Sequence, residues 1–189
     1  MFYHAGINAR HRENTLILLI VDDSPVYLKL LRAQLEGEGH EIVEASSGDE
    51  ALQALEHRFV DAVISDVLMP VMDGYRLCYE IRKSSTGNAG VAIVLYTATY
   101  SSSSDRELAQ TMGADYYLFK PAPTAAILGA IREAQSKSNQ RQNSGAPIGS
   151  DDAAEQFGSG LVSKLQGRAC DPHELPHSLA EEKEGPARS

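Results

Sequence analysis

Three acids, a hydroxyl and an amine each stand directly after an apolar run. Asp22 and Asp23 follow Leu16–Val21, Asp66 follows Ala62–Ser65, Thr97 follows Val91–Tyr96, and Lys120 follows Tyr116–Phe119. Brought together, three carboxylates repel one another and rise in pKa unless a cation stands between them. A hard divalent ion with oxygen ligands, Mg²⁺ above all, meets that need. Lys120 adds a fixed positive charge and Thr97 a hydrogen-bond donor. The set suits a neutral ligand poorly. It suits an incoming phosphoryl group, whose charge has to be met by metal, ammonium and donors together.

The elements that would gather these groups alternate along residues 15–136. Leu16–Val21 is a continuous β-type run, as in a strand buried on both faces. Ser24-Pro25 supplies an N-cap and a first-turn proline, with Val26, Leu30, Leu31 and Leu35 at helical spacing up to Gly37. His40–Ala45 is a half-polar strand, and Ser47 to Glu50 is a capping box ahead of Ala51, Leu52, Ala54 and Leu55. Asp73 caps a third helix carrying Leu77, Cys78 and Ile81; Ser104 to Glu107 caps a fourth that stops at Gly113; Thr124–Ala134 closes the series with Ile127, Leu128 and Ile131 inward. Five strands alternating with five helices imply a parallel sheet covered on both faces, because right-handed crossovers put the helices there. Ligands of such sheets collect at the carboxyl ends of the strands, where all five reactive groups fall.

With 17 basic against 26 acidic residues the net charge is −9, which phosphate backbones would repel, so direct nucleic-acid binding is not expected. Cys78 and Cys170 are too far apart in sequence to form a framework, and the longest clean apolar run, Leu16–Val21, is far too short to span a membrane. These features imply a soluble, cytoplasmic protein. Composition divides the chain into a flexible leader over 1–14, a folded domain over 15–136, and a polar, disordered tail over 137–189 that opens with Lys137 to Gly145. Within that tail, Ala153–Gln166 has a marginal helical pattern. His173-Glu174-Leu175-Pro176-His177 matches a zinc-protease pattern, but Pro176 inside it and Pro172 before it oppose the helix that chemistry needs.

Leu18–Asp23, Asp66 to Gly74, Thr97-Ala98 and Gly113 to Pro121 together resemble the receiver domain of two-component response regulators. The resemblance spans roughly residues 15–135. It implies a flavodoxin-like, doubly wound sheet of strand order 2-1-3-4-5 with five helices. Asp66 would accept a phosphoryl group from a histidine kinase or phosphotransfer protein. Mg²⁺ would be held by Asp22, Asp23, Asp66 and the backbone carbonyl of Leu68. Lys120 and Thr97 would meet the phosphoryl oxygens, Tyr117 would act with Thr97 as a switch, and Lys120-Pro121 would be cis. Output would pass to an effector protein through helix four, strand five and helix five. Such a chain is a switch rather than an enzyme, limited to its own phosphorylation and slow dephosphorylation. The departures are Ala122 in place of a bulky apolar residue, Tyr96 before Thr97, and the serine run Ser101–Ser104. Leu68 and Thr99 stand where the family tunes acyl-phosphate lifetime.

Two other classes compete. A binding module could keep the fold without relying on phosphorylation, though it would have no need of Asp22, Asp23, Asp66, Thr97 and Lys120 together. An aspartyl phosphohydrolase would carry a D-x-D nucleophile after its first strand, whereas Asp66 follows the third and has Leu68 two residues on.

Overall fold

In the computed structural model, residues 15–98 and 103–144 are described. They form β1 (Ile17–Val21), α1 (Pro25–Glu36), β2 (Glu41–Ala45), α2 (Gly48–His57), β3 (Ala62–Ser65), α3 (Gly74–Lys83), β4 (Ala92–Thr97), α4 (Ser103–Thr111), β5 (Tyr116–Phe119) and α5 (Thr124–Ser144). The five strands make one sheet in the order β2-β1-β3-β4-β5, with all neighbours parallel. This is the expected doubly wound fold.

Alternation along each strand sends side chains to two cores. Leu19, Val21, Val63, Ile93 and Leu95 face one layer with Leu55 of α2, Leu77 and Cys78 of α3, and Ala109 of α4. Leu18, Ile20, Ile64 and Val94 face the other, against Leu28, Leu31 and Leu35 of α1 and Ile127 and Ile131 of α5. Each fully buried aliphatic side chain contributes about 1.5–3 kcal/mol, so the central strands anchor the domain.

The local signals differ in several places from the sequence expectation. Ser24 sits at the N-cap of α1 but its side chain makes no capping bond; instead its backbone N–H donates to Asp22 Oδ1 at 2.9 Å. The buried stripe of α1 is Leu28, Leu31 and Leu35, while Val26 and Leu30, on the opposite side, are 64% and 56% exposed. At α2 the Ser47 hydroxyl accepts from Glu50 N as expected, but the Glu50 carboxylate reaches Ser46 rather than the cap residue. Helix α4 begins at Ser103, so Ser104 lies inside it.

The largest difference is at the end of α5. Composition places a linker from residue 137, yet the helix runs on to Ser144. Its polar side chains find backbone partners on the sheet end below them. Lys137 Nζ donates to Asp115 O at 3.1 Å, Gln142 Nε2 to Gly90 O at 3.0 Å, and Ser138 Oγ also to Gly90 O. A run with no hydrophobic period can be helical when hydrogen bonds to a neighbouring surface replace apolar burial. Residues 1–14, the Ala153–Gln166 pattern and the His173–His177 motif lie outside the described residues, as does Thr99.

Candidate functional site

The ladder of the sheet continues one residue past the strand ends, and that continuation aligns the reactive positions. Asp22 N donates to Ala45 O at 3.2 Å, Asp66 N to Val21 O at 2.8 Å, and Lys120 N to Thr97 O at 2.8 Å. Asp22, Asp66, Thr97 and Lys120 therefore stand side by side on one rim. Ser24 N–H orients the Asp22 carboxylate, and the Asp66 carbonyl accepts from Ser65 Oγ at 2.8 Å. Gly74 packs so closely under this loop that a Cβ there would lie 2.2 Å from Asp66 O, which makes glycine a requirement of the position.

Lys120 joins the acids. Its Nζ lies 2.5 Å from Asp22 Oδ2 and 3.1 Å from Asp66 Oδ1, with a side chain only 4% exposed. Burial pushes the Asp66 carboxyl above the usual aspartate range, against the pull of Lys120. Burial alone would lower the Lys120 ammonium, but its hydrogen bond to Asp22 and the charge of Asp66 override that and hold it above the ordinary lysine value. One carboxylate oxygen each from Asp22, Asp23 and Asp66 lies within 4.8 Å of the others. An all-oxygen donor set of three acids, one of them exposed on the rim, fits a hard divalent cation.

These residues line a cleft of about 110 Å³ together with Ser24, Tyr27, Leu68, Thr97 and Ala98. All the residues expected to bind metal or phosphoryl groups are thus gathered in one place. Tyr117 is not among them. It lines a different cavity of about 230 Å³ with Arg106, Gln110, Asp115, Tyr116 and Lys137, with its ring edge-on to Phe119 at 5.4 Å. Burial and the neighbouring hydroxyl of Tyr75 bear on Tyr117, whose pKa is raised chiefly by burial. The Lys120-Pro121 peptide is cis.

Sequence reasoning missed a buried cluster at the opposite end of the sheet. The Arg82 guanidinium donates to Gly113 O, Ala89 O and Val91 O and to Asp115 Oδ2, the last at 2.9 Å. Asp115 also accepts from Ile93 N at 2.8 Å and pairs with Arg141 of α5. A signal existed: Arg82 lies four residues after Cys78, on the same buried stripe of α3.

Residues 18–132 match the response regulator receiver domain family. The chain belongs to this family. Receiver domains are switches of two-component signalling, and the fold, strand order and acidic cleft described above are those of the family. The chain is 37% identical over 123 residues to a probable transcriptional regulator, ycf27, of Guillardia theta, covering 65% of this chain and 46% of that protein. It is 40% identical over 121 residues to the transcriptional regulatory protein GlrR of Escherichia coli K12, covering 64% of this chain and 26% of that one. The chain therefore spans half or less of the length of these relatives. Among solved structures it resembles the receiver domain of a sensor histidine kinase from Pseudomonas aeruginosa PAO1, with 29% identity, a TM-score of 0.58, and coverage of 65% of this chain and 98% of that one. That structure carries a magnesium ion coordinated in its active site cleft. No helix among the described residues of the receiver is long and apolar enough to cross a membrane.

Proposed function

We propose that this receiver accepts a phosphoryl group on Asp66, in a Mg²⁺-dependent transfer from the phosphohistidine of a histidine kinase or phosphotransfer protein. The observation that carries the reading is the shared position of Asp66 and Lys120, 3.1 Å apart at the centre of a three-acid cleft. A carboxylate oxygen of Asp66 forms the new P–O bond as the P–N bond of the phosphohistidine breaks. The imidazole leaves with the electron pair and takes a proton from solvent.

Asp22, Asp23, Asp66 and the Leu68 carbonyl would hold the metal, which supplies positive charge to the phosphoryl oxygens as they approach an acid-rich site. Lys120 supplies a second positive charge from a fixed direction, and the Thr97 hydroxyl, at the adjacent strand end, offers a donor. Charge accumulates on the phosphoryl group, so preorganised cations and donors account for most of the catalysis. The raised Asp66 pKa, due chiefly to burial, is consistent with this reading: the cleft disfavours uncompensated negative charge.

Occupation of Asp66 would draw Thr97 toward the phosphoryl group and let Tyr117, three residues before Lys120, repack on the surface of α4, β5 and α5. That surface, with Arg106, Tyr117 and Lys137 around one cavity, would present the signal to an effector protein. The acidity of the chain argues against direct contact of the receiver with nucleic acid, and a phosphohistidine donor made from ATP implies a cytoplasmic setting.

The test is incubation with Mg²⁺ and acetyl phosphate followed by intact mass. One added phosphoryl group is expected, absent from Asp66→Ala and absent when Mg²⁺ is removed. Equal labelling of Asp66→Ala contradicts the reading.

A further inference from the structure

Lys120 is held by more than the acids. The ring centroid of Tyr27, on the first turn of α1, lies 4.4 Å from Nζ, and that of Tyr96 lies 5.5 Å away. Both are within the reach of about 6 Å over which an aromatic face attracts a cation. Tyr27 lines the cleft beside Asp23 and Leu68. It is 42% exposed, whereas the lysine side chain behind it is 4% exposed. Tyr96 is the second ring, near the end of β4. Its hydroxyl accepts from Ala122 N at 3.0 Å, tying the backbone just past Lys120 to the end of β4.

We propose that Tyr27 is a positioning residue of this cleft: its ring closes the α1 side of the site over the Lys120 ammonium and keeps the amine directed at Asp22 and Asp66, while Tyr96 fixes the backbone that carries the lysine. The inference deepens the phosphoacceptor reading and rests on it for the effect on rate, though not for the effect on the lysine. A ring suits the task better than a fourth acid. It attracts the ammonium through its quadrupole without adding another negative charge to the acids, so the donors stay directed at Asp22 and Asp66. A leucine, shorter and without a quadrupole, would neither cover the amine nor attract it.

The experiment compares the full-length chain with Tyr27→Leu and Tyr27→Phe. The first readout, taken without Mg²⁺ or phosphodonor, is modification of the Lys120 amine by an acetylating ester at one fixed pH, mapped by peptide mass spectrometry. The second is the rate of phosphoryl uptake from acetyl phosphate with Mg²⁺. Because Tyr27 is substantially exposed, both variants should melt near the wild type, and melting is measured on each. Tyr27→Leu is expected to raise Lys120 modification several-fold and to slow phosphoryl uptake about three- to tenfold, the range for a partly desolvated cation–ring contact. Tyr27→Phe is expected to retain most of the protection and most of the rate.

A Leu variant that protects Lys120 as the wild type does overturns the proposal, as does one that exposes the lysine but takes up phosphate at the wild-type rate. A Phe variant as impaired as the Leu variant overturns it too, since the hydroxyl rather than the ring would then matter. If the wild type itself takes up no phosphoryl group, the phosphoacceptor reading fails and with it the positioning role, while Lys120 modification still shows whether the ring covers the amine.

Discussion

Replacing Asp115 by alanine tests how the far end of the domain is held. Its side chain is fully buried, and that of its partner Arg82 is 1% exposed. Removing the carboxylate leaves the guanidinium in place among the carbonyls of Gly113, Ala89 and Val91 and orphans the Ile93 N–H, which donates to Asp115 at 2.8 Å. A buried charge stripped of its partner costs about 3–5 kcal/mol. The three remaining carbonyls offset part of that, while the orphaned amide adds about 1–3 kcal/mol. The net expectation stays at about 3–5 kcal/mol, or a melting temperature lower by roughly 10–20 °C for a domain of this size. Arg141→Ala removes only the second cation, whose side chain is 26% exposed, and should cost about 1–2 kcal/mol. Urea unfolding monitored by circular dichroism gives both values. If Asp115→Ala unfolds within about 0.5 kcal/mol of the wild type, the range of an ordinary surface change, the cluster does not bear load and the reasoning is wrong.

Gly74→Ala should lose about 1–3 kcal/mol through overpacking, and should slow phosphoryl uptake as well, because the new Cβ meets the Asp66 carbonyl rather than a movable side chain; a stable variant with wild-type uptake contradicts this. Without Mg²⁺, Asp66→Asn should melt above the wild type at neutral pH. A carboxyl whose folded pKa is raised favours the fold below its unfolded pKa and loses that advantage as pH rises through the folded value. The gain from asparagine should therefore shrink on acidification toward the ordinary aspartate range, and a gain that grows there speaks against it. The Cys78 thiol, pushed up to about 12 by burial, should resist iodoacetamide at pH 8 in the native protein and react in urea; alkylation of the native Cys78 peptide at the unfolded rate excludes the buried assignment.

The sequence made the cleft legible because its chemistry depends on residue type at strand ends. Asp22, Asp66, Thr97 and Lys120 each follow an apolar run, and a parallel ladder necessarily brings such positions together. Helix faces were harder to read. Val26 and Leu30 look like core by hydrophobicity, yet Leu28, Leu31 and Leu35 make the contact, and only packing against β1 decides between two apolar stripes on one short helix. The end of α5 reads as a linker in the sequence because Lys137, Ser138, Arg141 and Gln142 carry no apolar period. What holds them is hydrogen bonding to Asp115 and Gly90, partners distant in sequence that no local pattern reveals. The rings around Lys120 were missed for the same reason. Tyr27 looks like an ordinary helix residue until the fold sets it against an amine 93 positions away, at 4.4 Å.

Chemical trapping of the acceptor tests the central claim most directly. An acyl phosphate on an aspartate is reduced by borohydride to homoserine, while phosphate esters and unmodified carboxylates survive. After incubation with Mg²⁺ and a phosphodonor, then reduction and digestion, peptide sequencing by mass spectrometry should find homoserine at position 66 and aspartate at positions 22 and 23. Homoserine at either neighbouring acid, or at position 66 in equal amount when the metal has been chelated, would contradict the account.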